Sequence, residues 1–197
     1  MSNSNSSSGM PRGSRAHAGS EVVAPVSIYV VRHAHALPRD GWTGSDQDRP
    51  LTDRGVKEAE ALVARFDIAP AGAPSQKRST RAREPRPTLL MSSGAKRCLA
   101  TLQPLAAACG LPIVIEDFLS EGSDGNGLLV QFKDLAAVGG VPVLCTHGDV
   151  IWSLVDLLVA AGTPLSGPVE VRKGSILVLD TESGSVESAR YIPPAKV

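Results

Sequence analysis

The chain has 197 residues, 42% hydrophobic and 20% charged, enough apolar material for one domain with a real core and short for two. Its 20 Lys and Arg balance 20 Asp and Glu, and a formal net charge of zero argues against a dedicated nucleic-acid binder, which is usually basic over its whole domain. The most apolar run, 150–161, is about a dozen residues long and contains Asp156, whereas a membrane span needs roughly 20, so no membrane partner is expected.

Residues 1–24 are rich in Ser, Gly and Asn, lack the apolar stretch of a signal peptide and predict a disordered tail, which leaves 25–197 as the folded domain. Cys98, Cys109 and Cys145 lie far apart and form no CxxC pair. Neither a disulfide framework nor a zinc knuckle is indicated, and a reducing cytoplasm is the expected compartment.

The run Val26–Val31, β-branched and apolar, predicts a strand buried on both faces, ending at Arg32-His33. A Gly/Asp/Pro-rich loop follows, from Leu37 to Pro50. Thr52 can cap a helix whose apolar face is read as Val56, Ala59, Leu62, Val63 and Phe66. The segment 67–86 carries Lys77, Arg78, Arg81, Arg83 and Arg86 among several prolines and reads as a solvated surface loop. A second strand is expected at Thr88–Met91 and a helix at Ala95–Ala108, stopped by Gly110 and Pro112. Strand Ile113–Ile115, helix Leu128–Val138, buried strand Val141–Cys145 and helix Val150–Ala161 follow. Ile176–Asp180 and Val186–Ile192 flank Gly184 and predict a terminal hairpin.

Strands alternating with helices imply an α/β three-layer sandwich with a mainly parallel central sheet flanked by helices. Ligands bind such sheets at the carboxyl ends of the strands. Arg32-His33, Ser92-Ser93 and Thr146-His147 all fall at predicted strand ends, so residues over a hundred positions apart are expected on one rim. Arg32, His33, Arg97, Glu121 and His147 form the candidate constellation. Arginine forks match phosphate oxygens. A neutral imidazole nitrogen can attack phosphorus and carry the group covalently. Nearby positive charge keeps that imidazole neutral and stabilises the transferring oxygens. A carboxylic acid can protonate the leaving group.

These residues resemble a known family. Val31-Arg32-His33-Ala34 is similar to the RHG-type signature of the histidine phosphatase superfamily, Ser92-Ser93-Gly94-Ala95-Lys96-Arg97 to its SSPxxR segment, and Thr146-His147-Gly148 to its late HG motif. Arg49-Pro50-Leu51-Thr52 with Gly55 resembles the RPLTxxG element of the short phosphohistidine-phosphatase-like branch. Gly41-Trp42-Thr43-Gly44 is similar to a loop of the phosphatase domain fused to some Nudix hydrolases; no Nudix box is present, so a stand-alone domain is expected. The resemblance covers about residues 26–180, with Ala34 where Gly is usual and Gly94 where Pro is usual. It implies a phosphoglycerate-mutase-like fold and a cytoplasmic, metal-independent hydrolase of phosphomonoesters or phosphoramidates, with no cofactor, working through phosphohistidine. His33 would be the nucleophile, Arg32 and Arg97 the ligands of the phosphoryl oxygens, His147 a further donor, and Glu121 the acid with Asp124 in reserve. The substrate would be a phosphorylated small molecule, a nucleotide or a phosphoprotein, its choice set by 37–49 and 67–86.

Other readings stand beside these. The enzyme could be a phosphomutase, or the chain a non-catalytic phosphate-binding or interaction domain. Glu121 reads equally as a loop-capping carboxylate, and Asp46 with Arg49 as an ion pair or as part of the pocket mouth. His35 reads as an exposed loop residue.

Overall fold

A computed structural model describes residues 25–68 and 83–197. The expected tail at 1–24 lies outside the described residues, as do Lys77, Arg78 and Arg81 of the basic segment.

Among the described residues, seven strands form one sheet: β1 (Val26–Arg32), β2 (Leu89–Ser92), β3 (Ile113–Ile115), β4 (Pro142–Thr146), β5 (Leu165–Ser166), β6 (Ile176–Glu182) and β7 (Ser185–Ile192). Their order is β3-β2-β4-β1-β6-β7-β5. The first four run parallel, and β6 and β7 complete the sheet antiparallel as the expected hairpin. The helices α1 (Asp53–Val63), α2 (Lys96–Cys109), α3 (Gly125–Val138) and α4 (Gly148–Ala160) cover the two faces. The architecture is the α/β sandwich with a mostly parallel sheet that alternating elements imply.

The period-two alternation of β1 divides its side chains between two cores. Val26, Ile28 and Val30 join Leu144, Leu177 and Leu179 under α3 and α4, where Phe132 and Leu154 pack. Tyr29 and Val31 join Val143, Cys145 and Val178 under α1 and α2, where Leu62, Leu102 and Leu105 pack. Burying each such large side chain is worth roughly 1.5–3 kcal/mol, which fixes the register of the central strands.

Several details depart from expectation. The inward face of α1 is Gly55, Glu58, Ala59 and Leu62, and Val56 is 46% exposed. The helix is rotated by about one position because it presses its glycine on the strand-exit loop: a Cβ at Gly55 would lie 1.9 Å from the His35 carbonyl oxygen. Glu58, though charged, is buried because its Oε2 accepts the His35 backbone N–H at 2.8 Å and its Oε1 accepts from Arg54 at 2.8 Å. The helix α3 begins at Gly125 rather than Leu128, capped by Asp124, whose Oδ1 accepts the Gly127 N–H at 2.8 Å. Finally, Arg86 is no free surface charge: it donates to the Cys109 carbonyl at the end of α2 at 2.9 Å. The two-residue β5, invisible to periodicity, pairs with β7.

Candidate active site

The parallel strands end together. Arg32 is in register with Thr146 and Ser92 with Cys145. Beyond those ends the backbone continues the pairing: His33 N–H donates to the Thr146 carbonyl and Ser93 N–H to the Cys145 carbonyl, both at 3.0 Å. The rim thus gathers Arg32-His33, Ser92-Ser93 and Thr146-His147, and α2 starts there with Arg97.

His33 is buried, and its Nδ1 lies 2.8 Å from the Ala34 carbonyl oxygen. A carbonyl only accepts, so Nδ1 carries the proton and Nε2 keeps its lone pair. Burial pulls the His33 pKa down to about 3, the Ala34 carbonyl opposes this, and the charges of Arg97 and Arg32 add to the depression. The ring is therefore neutral at physiological pH. The rings of His33 and His147 stand 5.4 Å apart at 66°. Ala34, in the position where a glycine is usual, has no left-handed backbone, so its methyl needs no strain. Its N–H donates to Thr101 Oγ1 at 2.9 Å, and that hydroxyl donates to the Arg97 carbonyl at 2.7 Å, tying the end of β1 to α2.

The two arginines are built in differently. Arg97 is 1% exposed. Its Nη1 donates to the Asp46 carbonyl at 2.8 Å and pairs with Asp46 Oδ2 at 3.1 Å, while Nη2 donates to Glu121 Oε2 at 2.7 Å and to His147 Nδ1 at 3.2 Å. Arg32 lies flat on Gly148, where a Cβ would meet its Cζ at 2.8 Å, and donates through Nη1 to the Val171 carbonyl at 2.6 Å. Among the described residues, Arg32 Nε and Arg97 Nε are the only buried side-chain polar atoms without a partner. Orphaned guanidinium donors are costly; an oxyanion is the group that would satisfy them.

Because Arg97 can only donate, His147 Nδ1 accepts, and its Nε2–H points to Ser93 Oγ at 2.9 Å with Cys98 Sγ at 3.5 Å. Both ring nitrogens are engaged. At the mouth, Glu121 also accepts from Arg39 at 2.9 and 3.0 Å. Asp46 binds Arg49 at 2.8 Å and Arg39 at 3.1 Å, and hydrogen bonding to Arg49 above all holds its carboxyl far below the usual carboxylate range. Asp46 and Arg49 are therefore both an ion pair and part of the mouth.

The structure brings Arg32, His33, Arg97, Glu121 and His147 together. It sets Asp124 apart, spent on capping α3. His35 is half-buried, its Nδ1 2.8 Å from the capping hydroxyl of Thr52. Arg39 and Val171 were not anticipated. Arg39 sits in a loop with no periodicity, and Val171 acts through its carbonyl, which no side-chain pattern reveals. Ser93 was within reach, lying inside the Ser92–Arg97 segment.

The profile of the histidine phosphatase superfamily (branch 1) matches residues 28–127, more than half of the chain, and the chain belongs to that superfamily. It is 32% identical over 171 residues to an 8-oxo-(d)GTP phosphatase of Mycolicibacterium smegmatis, an alignment that covers 85% of this chain and 48% of that protein. The chain thus spans about half the length of this curated relative. Among solved structures, the protein histidine phosphatase SixA complexed with tungstate superposes with a TM-score of 0.60 at 17% identity, covering 86% of this chain and 96% of that one. Phosphoglycerate mutase from Bacillus anthracis superposes with a TM-score of 0.56 at 16% identity, covering 83% and 92%. These two likenesses establish the fold, which is phosphoglycerate-mutase-like.

Proposed function

We propose that the protein is a phosphatase that hydrolyses a phosphomonoester or phosphoramidate through a phosphohistidine on His33, without a metal. The observation that carries this reading is the buried, neutral His33, its Nδ1 proton committed to the Ala34 carbonyl and its Nε2 lone pair left for a substrate among the charges of Arg97 and Arg32.

In the first step Nε2 forms a bond to phosphorus as the bond from phosphorus to the leaving oxygen or nitrogen breaks. Arg32 and Arg97, through donors that include their orphaned Nε groups, hold the charge spread over the transferring oxygens. A substrate that enters as its monoanion brings one proton into the site, within reach of Glu121 beside Arg97. Glu121 delivers that proton to the leaving group. Arg97 Nη2 turns from His147 to the phosphoryl group, and His147 serves as a further donor through its one N–H, at Nε2, which exchanges Ser93 Oγ for a transferring oxygen. In the second step water attacks the phosphohistidine, Glu121 takes its proton, and phosphate leaves with His33 restored.

The relative named for 8-oxo-(d)GTP supports a nucleotide as the substrate class, ahead of a phosphoprotein or another small metabolite. The proposed catalytic unit is 25–197. Among its described residues, no helix is long and apolar enough to cross a membrane, and the cytoplasm is the proposed compartment.

Two variants on two substrates test the assignment. His33→Ala removes the phosphoryl acceptor and is expected to abolish turnover of both an alkyl and an aryl phosphate. Glu121→Gln is expected to slow the alkyl phosphate by about 10² to 10⁴-fold and the aryl phosphate much less, because a good leaving group needs little protonation. Activity of more than a few percent in His33→Ala contradicts the nucleophile, and equal slowing in Glu121→Gln contradicts the acid.

A further inference from the structure

The turn 171–174, between β5 and β6, is bonded to the end of β1 and to the Arg32 guanidinium. Val171 has φ 46° and is 2% exposed, and Gly174 has φ 75°. A β-branched residue with positive φ is an outlier that persists only where its surroundings over-determine it, and such residues cluster at ligand sites. Here the surroundings are the end of β1. The Gly174 N–H donates to the carbonyls of Arg32 and His33, both at 3.1 Å, and the Ser175 carbonyl accepts the Arg32 N–H at 3.0 Å. Lys173 stands in this turn, immediately before the Gly174 whose N–H meets the Arg32 and His33 carbonyls.

Lys173 is half-buried, and its ammonium feels the charges of Arg32, Arg49 and Arg97, opposed by Glu58. Both oxygens of Glu58 already accept, from His35 and Arg54. Arg49 is committed to Asp46 and to the Leu37 carbonyl. Among the described residues, Lys173 has neither a hydrogen bond nor an ion pair. Burial first, then the charge of Arg32, pushes its pKa down. A fourth cation held among three arginines is repulsive by itself and becomes favourable when a polyanion arrives.

We propose that Lys173 forms a subsite for a second anionic group of the substrate, namely the phosphate that adjoins the scissile phosphoryl in a diphosphate or longer phosphoanhydride chain. The proposal rests on the reading of Arg32 and Arg97 as ligands of the phosphoryl group: those two forks match one phosphoryl, and Lys173 is the cation left over. A compact ammonium on a flexible stem suits the variable geometry of a neighbouring phosphate. In such a substrate the terminal phosphorus bonds to His33 Nε2 as its bond to the bridging oxygen breaks. The electron pair goes to that oxygen, on the departing phosphate that Lys173 holds.

Binding of three small anions to the full-length protein tests this without requiring turnover: orthophosphate, pyrophosphate, and phosphonoacetate, in which a carboxylate replaces the second phosphate. In the wild type pyrophosphate is expected to bind at least about tenfold more tightly than orthophosphate, as a charge-assisted contact allows. Lys173→Met should erase that preference and Lys173→Arg should keep it, with melting temperature confirming that both variants fold. Retention of the preference in Lys173→Met overturns the proposal. A preference for phosphonoacetate alone overturns it too, since the subsite would then serve a carboxylate. Binding of orthophosphate without any preference overturns this proposal while sparing the phosphoryl pocket, whereas failure of all three anions to bind overturns both.

Discussion

At the scale of single residues, the site works by opposing burial to charge. His33 is kept neutral by desolvation, and its tautomer is fixed by one backbone carbonyl. The folded pKa of about 3 lies below the ordinary 6.5, so in the window between them the unfolded chain binds a proton that the folded chain does not. The stability that neutral His33 contributes is thus present above pH 6.5 and lost as the pH falls toward 3. Between about pH 7 and pH 4.5, urea unfolding is expected to show a loss on the order of 2 kcal/mol that His33→Asn largely removes. An unchanged slope in the variant would mean that His33 is not held neutral. Sequence reasoning reached the principal residues because each follows a buried strand or opens a helix, as His33, Ser93 and Arg97 do. It placed Glu121 in the constellation and Asp46 with Arg49 in an ion pair or at the pocket mouth, but it missed Arg39 and the way these carboxylates share Arg97 and Arg39. Arg39, Asp46 and Glu121 come from two loops and meet only through tertiary folding, and the strained carbonyl of Val171 has no side-chain signature.

At the scale of elements, helix starts position the chemistry. The first turn of α4 begins at Gly148 because the Arg32 guanidinium lies where a side chain would stand. Gly148→Ala is expected to leave the melting temperature nearly unchanged, since the far end of a flexible side chain can move, yet to cut kcat/KM by about 10²-fold through misplacement of Arg32. A variant that unfolds, or one with full activity, contradicts this account. The start of α3 separates two carboxylates that look alike in the sequence. Asp124→Ala should cost about 1 kcal/mol of stability through the lost cap, seen as a lower melting temperature, and should keep the wild-type ratio of alkyl to aryl phosphate rates. A shifted ratio would return Asp124 to the chemistry. The rotation of α1 has a related cause. The spacing of Ala59 and Leu62 was legible, but the contact of Gly55 with His35 and the use of Glu58 as a backbone acceptor exchanged Val56 for a charged residue on the inner face.

At the scale of the whole molecule, the order β2-β4-β1 is what makes one site from three distant segments. The alternation of strands and helices announced a parallel sheet, and the apolar strands β1 and β4 announced its centre. The neighbours of each strand follow from packing of complete helices and were not readable from any one segment. The central claim is that a phosphoryl group passes through His33. The direct measurement is intact-mass analysis of the protein quenched in alkali during turnover of an aryl phosphate, followed by peptide mapping under conditions that preserve phosphohistidine. The account predicts a mass gain of one phosphoryl group, confined to the peptide that contains His33 and absent from His33→Ala. Turnover with no covalent adduct, or with the adduct on another residue, would contradict it.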